Sequence, residues 1–219
     1  MTSPPAREPA AAESPHDAAE RTLSALREAA LTVASAESLT GGLVTATLTD
    51  VPGASAVVRG GVISYATDVK EQVLGVDAQL LADGGAVQAD VARQMAVGVC
   101  RLCSSDLGVA TTGVAGPEAQ DGHAVGTVFV AVARRGQAPE QVEVRPLVLL
   151  GDRQQIRRQT VAAALGLLTE VVADVVAGTG AAAGDVAVDE TGVSTVAGTV
   201  AGTGAGGTTG AEDSGSDAG

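Results

Sequence analysis

Aromatic side chains are almost missing from this chain. There is one Tyr, one Phe and no Trp among 219 residues, although 45% of them are hydrophobic. Any core must therefore be built from Ala, Val, Leu and Ile, which suits the buried strands of an α/β domain. Lysine is nearly missing too: Lys70 stands alone against twelve arginines. No basic residue follows Arg158, whereas eight acidic ones do, and the formal net charge is −13. An acid excess of this size argues against direct nucleic-acid contact. It also fits a salt-adapted or high-GC host, and composition alone does not separate the two. Cysteine is limited to Cys100 and Cys103 in "CRLC". Zinc sites of this spacing need a second pair, and a redox CxxC opens a helix rather than closing one. These two close the apolar pattern "VARQMAVGVCRLC" and read as reduced structural thiols. His16 and His123 sit in polar stretches, so neither a metal site nor a histidine-based triad is expected. The N-terminus has no apolar leader, and the most apolar stretch, 160–177, carries Glu170 and Asp174. The cytoplasm is the expected compartment, without membrane attachment.

Composition also divides the chain. Residues 1–17, rich in Pro, Ala, Ser and Glu, read as a disordered leader. Residues 178–219 form a low-complexity acidic Gly/Ala/Thr tail. That tail contains a G-x-G-x-x-G at Gly202, Gly204 and Gly207, but lacks the strand and helix that would make it a nucleotide fingerprint. Residues 18–177 remain as one domain. Within it, helical patterns at 19–30, 40–50, 67–74, 89–104 and 151–175 alternate with apolar strands at 31–35, 56–65 and 107–113. Two more strands, "GTVFVAVA" and "QVEVRPLVLL", read as a hairpin. Alternation of this kind means an α/β layered domain, and the hairpin makes its sheet mixed.

Four places carry chemistry. In "LTVASAESLTGGLVTA" an apolar strand runs into Glu37 and Ser38, and Thr40, Gly41 and Gly42 open a helix. Ligands of α/β sheets gather at the carboxyl ends of strands, and free amides at a helix start bind anions. An ordinary helix cap at Ser38 or Thr40 is the plainer alternative, but it does not call for two glycines. In "TTGVAGPEAQDGHAVGTV" a strand ends at Thr112 and Gly113, and the Gly116-Pro117 turn starts a polar loop that could wall the same pocket. Lys70 is the third place. Arginine stays protonated, whereas a desolvated lysine can lose its proton and act as a base toward serine. Chance survival of one lysine is the competing explanation. Arg153 and Arg157 share a face of a helix start and could contact a phosphate or carboxylate, or merely face solvent.

Taken in order, "AESLTGGLVTATLTDVPGAS", "GVISYATDVKEQVLGV", "GAVQADVARQMA", "TTGVAGP…VGTVFVAV" and "GDRQQIRRQTVAAAL" resemble the blocks of the CinA C-terminal domain family over residues 18–175. The resemblance implies a three-layer α/β/α sandwich. It also implies an amidohydrolase that converts nicotinamide mononucleotide to nicotinate mononucleotide and ammonia through a Ser–Lys pair, without a cofactor or metal. On this resemblance Ser38, Lys70 and Tyr65 would be catalytic. Glu37, Thr40, Gly41, Gly42, Thr112, Gly113, Ala115, Gly116, Arg153 and Arg157 would form the substrate site. The partner would be a small nucleotide, and a homo-oligomer is compatible with it. The alternative is a non-enzymatic nucleotide-binding or competence/DNA-damage-related interaction module of the same group. Three departures stand out: Gly84 replaces a frequent histidine, Ser64 and Ala66 flank the tyrosine, and 118–122 is less glycine-rich than in many relatives.

Overall fold

The computed structural model describes residues 14–183. Five strands, β1 (Val33–Glu37), β2 (Val58–Ile63), β3 (Leu107–Gly113), β4 (Thr127–Arg134) and β5 (Glu143–Val148), form one sheet in the order β2-β1-β3-β4-β5. β2, β1 and β3 run parallel, while β4 and β5 are antiparallel additions. The sheet is thus mixed, with β4 and β5 paired as the expected hairpin. Six α-helices cover it: α1 (Pro15–Glu28), α2 (Leu43–Thr49), α3 (Thr67–Leu74), α4 (Ala78–Gly84), α5 (Ala89–Cys103) and α6 (Arg153–Ala183).

Strand alternation gives the sheet two unlike faces. Val33, Leu107, Val109, Val128, Val130 and Val132 point to the layer containing α1, α2 and α6. Ala34, Ala36, Ala110, Ala131 and Ala133 point to the layer of α3, α4 and α5. The alanine face brings α5 unusually close: a Cβ added to Gly108 of β3 would lie 2.2 Å from the Ala96 carbonyl of α5. Aliphatic packing on one face and close backbone approach on the other replace the missing aromatics.

The ends differ from the composition-based boundaries. α1 starts at Pro15 with Ser14 as its cap, accepting from the Asp17 amide, so 15–17 are helical rather than leader. α6 continues to Ala183, past residue 177. The rest of the leader, the rest of the tail and the G-x-G-x-x-G lie outside the described residues. Short α4 was not apparent as a helix in the sequence. α6 begins with a reciprocal cap, in which the Gln155 amide donates to Asp152 and the Asp152 amide to Gln155, each at 2.8 Å. By length and composition alone, α6 could cross a membrane over Arg153–Gly178. Here its buried side chains, including Leu165, Leu168 and Val172, pack into the first core layer.

Candidate active site

The three parallel strands end together. Glu37 is in register with Ile63 on one side and with Thr111 on the other. The ladder runs one residue further, with the Ser38 amide donating to Thr111 and the Ser64 amide to Glu37. Ser38, the Ser64-Tyr65 exit and the Thr112-Gly113 end are therefore brought to one edge, where parallel α/β sheets open toward ligands. A cavity of about 320 Å³ lies there. Its walls include Ser38, Tyr65, Lys70, Thr112, Gly113, Ala115, Gly116 and Arg153.

Five of the expected site residues do not line it: Glu37, Thr40, Gly41, Gly42 and Arg157. Glu37 is 1% exposed, and its carboxylate accepts from the Gly42, Val44 and Thr45 amides and from the Ser35 and Thr45 hydroxyls. It fills the start of α2 that the glycine pattern suggested was open to a ligand. Thr40 is wholly buried, and its hydroxyl pairs with that of Thr111 at 2.7 Å. Gly41 and Gly42 precede the first turn of α2, with φ of +58° and +95°. That left-handed backbone by itself calls for both glycines. Arg157 donates to the Leu39 carbonyl at 3.0 Å and to the Thr40 carbonyl at 2.6 Å. Its two bonds go to the turn that carries Ser38.

Within the cavity some expected roles also change. The Thr112 hydroxyl is spent on the Ala86 carbonyl at 2.7 Å, so Thr112 braces a wall. Tyr65 is 60% exposed at the rim, where its hydroxyl accepts from Arg153 at 2.8 Å. Its contact with Lys70 is through the main-chain carbonyl, at 3.5 Å. Arg153 also donates to the Gly116 carbonyl at 2.6 Å, joining two sides of the mouth. Ser38 is 9% exposed.

Lys70 is the most unusual group. It lies on α3 with 1% of its surface exposed, and Nζ donates to the Ser64 carbonyl at 2.6 Å. Burial lowers its pKa from 10.5 to about 8, with Asp121 pulling the other way. Asp121 was visible in the sequence only as part of a polar loop. Its carboxylate accepts from the Ala86 amide at 2.9 Å, so the Ala86 main chain is held by Asp121 at its N–H and by Thr112 at its carbonyl. Among the described residues, no group of three or more His, Cys, Asp or Glu is placed to hold a metal ion. Cys100 and Cys103 are free thiols at the end of α5.

The CinA C-terminal domain profile matches residues 15–172. The chain belongs to this family. A CinA-like protein of Frankia casuarinae is 47% identical over 151 residues, which are 69% of this chain and 34% of that protein. A CinA superfamily protein of Klebsiella pneumoniae superposes with a TM-score of 0.70 at 32% identity, covering 74% of this chain and 99% of that one. The competence/damage inducible protein CihA of Agrobacterium tumefaciens gives a TM-score of 0.66 at 35% identity, covering 70% and 93% of the two chains. The chain spans about a third of the length of the curated relatives it matches.

Proposed function

We propose that this CinA domain is a nicotinamide-nucleotide amidase, converting nicotinamide mononucleotide and water to nicotinate mononucleotide and ammonia. The reading is carried by a buried lysine of lowered pKa that shares a cavity with a serine at a strand end. Neutral lysine has two N–H groups and one lone pair. The Ser64 and Tyr65 carbonyls can take the N–H groups, leaving the lone pair for the Ser38 hydroxyl.

Ser38 Oγ attacks the carboxamide carbon as its proton passes to Lys70. The carbonyl π electrons move to oxygen, giving a tetrahedral oxyanion. The Gly41 amide already donates to the Ser38 carbonyl at 3.1 Å, so the amide of Leu39, which lines the cavity, is the donor left to receive that oxyanion. The oxyanion collapses, the C–N bond breaks, and Lys70 returns the proton to nitrogen as ammonia leaves. Water, deprotonated by Lys70, then cleaves the acyl ester and restores Ser38. Arg153 and the Gly116 turn border the mouth, where they would hold the ribose phosphate. A positively charged pyridinium ring would further favour neutral Lys70. The test is ammonia release from nicotinamide mononucleotide by the wild-type protein and by Ser38→Ala. Turnover that survives Ser38→Ala, or no turnover by wild type, rejects the assignment.

A further inference from the structure

Residues 117–120 line the cavity, yet they are also exposed to solvent. Among the described residues, 117–119 make no hydrogen bond of their own, so their position depends on how the two ends are tied. One end is the Gly116 carbonyl, which accepts from Arg153. The other end is a tight turn. The Gln120 and His123 amides donate to one another's carbonyls, and Asp121 and Gly122 between them have φ of +51° and +77°. Positive φ at both central residues is the two-residue hairpin geometry that Asp-Gly favours. Asp121 ties this turn to another part of the wall, because its carboxylate accepts from the Ala86 amide at 2.9 Å. The fit is close: a Cβ on the neighbouring Gly85 would clash with that carboxylate. Ala86 lines the same cavity, is 3% exposed and lies between α4 and α5. The carboxylate is also near enough to Lys70 to act on its charge. The segment is thus strapped at one end to Arg153 at the mouth and at the other to the part of the site that holds the lysine.

We infer that Asp121 is a positioning residue: by accepting from the Ala86 amide it latches residues 117–120 in place as a wall of the substrate cavity. The strap brings Glu118 and Gln120 to that wall, two side chains able to accept from ligand hydroxyls. Loss of the latch should therefore weaken binding more than chemistry, because Ser38 and Lys70 are carried by other elements, the end of β1 and α3. The effect on turnover rests on the amidase reading of Ser38 and Lys70, whereas the latch itself does not. The latch is also separable from the charge. Asparagine has an oxygen that can accept from Ala86, and it carries no charge.

The test compares wild type, Asp121→Asn and Asp121→Gly by steady-state ammonia release, with folding checked by thermal melting. Asparagine and glycine both tolerate positive φ, so the turn survives in each variant. Both lack the charge and only asparagine keeps an acceptor, so the difference between them reads the latch. At a pH where kcat has levelled off, KM of Asp121→Gly is expected about tenfold above that of Asp121→Asn, with kcat within about threefold. Equal KM values in the two folded variants overturn the inference, and so does a difference confined to kcat. Hydrogen exchange of the Ala86 amide in the unliganded protein is a readout independent of turnover. Exchange about tenfold or more faster in Asp121→Gly than in Asp121→Asn supports the latch even if wild type releases no ammonia, which would reject only the amidase reading. Equal exchange in the two variants overturns the latch.

Discussion

The Nζ of Lys70 lies 2.6 Å from the carbonyl oxygen of Ser64, the residue at which the chain leaves β2. A neutral acceptor does little to retain a proton, and Lys70 itself is 1% exposed. Desolvation therefore outweighs the attraction of Asp121, and the pKa falls to about 8. At neutral pH most molecules hold Lys70 protonated, and the competent neutral form grows as pH rises. kcat/KM is expected to climb through pH 8 with a single ionisation. Asp121→Asn removes the opposing charge and should move the midpoint lower. A profile flat between about pH 6 and 9 would rule out Lys70 as the base.

Lys70→Arg keeps a cation at this position but installs a group that is effectively never deprotonated. Turnover should fall about 10³-fold or more, as with Ser38→Ala, and the double variant should be little worse than either single one. Substantial ammonia release by folded Lys70→Arg would instead make position 70 an electrostatic anchor.

The same lysine should mark the stability curve. Its folded pKa of about 8 lies below its ordinary 10.5, so between these values the unfolded chain binds more protons. Stability is expected to increase with pH across that window. Cys100 acts oppositely, because burial raises its thiol from 9.0 to about 11. Lys70→Met isolates the lysine: the stability of wild type relative to the variant should rise from about pH 8 to 10.5. A constant difference would mean that Lys70 is not desolvated in solution.

Arg153 is exposed at the mouth and bonded to the Gly116 carbonyl and the Tyr65 hydroxyl. A contact remote from the carboxamide contributes mostly uniform binding, so Arg153→Ala should raise KM more than it lowers kcat. Tyr65→Phe removes only the acceptor at the rim and should alter kcat by less than about threefold, since the Tyr65 carbonyl that meets Lys70 remains. A large loss of kcat in Tyr65→Phe would return the phenol to the chemistry.

Glu37 concerns stability rather than substrate. Glu37→Ala would leave the Gly42, Val44 and Thr45 amides without their carboxylate. An unpaired buried donor costs about 1–3 kcal/mol, and Val44 is buried while Gly42 and Thr45 are half-buried, so a loss of at least about 1 kcal/mol is expected in urea denaturation. Glu37→Gln keeps one oxygen acceptor and should lose less. An unchanged midpoint in Glu37→Ala, together with a raised KM, would put Glu37 back among the ligand contacts.

Much was legible before the fold was known. Alternating apolar segments indicated an α/β domain with a mixed sheet, and 67–74 and 107–113 match α3 and β3 residue for residue. Such segments are readable because hydrophobic period is a local property. The scarcity of lysine singled out position 70, and the Ser38 and Thr112-Gly113 stretches both reach the cavity wall. Short α4, which ends in Asp83 and Gly84, escaped because so few apolar residues barely establish a period.

What the sequence determined by itself was which residue types could do chemistry and which segments would become strands and helices. Only the tertiary structure decided where each polar group finds its partner. Glu37, Thr40 and Arg157 look like ligand contacts when read along the chain, because residue type shows capacity to bind but not whether that capacity is used. Folding brings Thr111 to Thr40 and carries Arg157 across more than a hundred residues to the Leu39 and Thr40 carbonyls. It also places main-chain oxygens of Ser64 and Tyr65 at Lys70. Main-chain acceptors are the same at every residue and leave no mark in a sequence, so the surroundings that lower the pKa of the lone lysine exist only once the layers have closed around it.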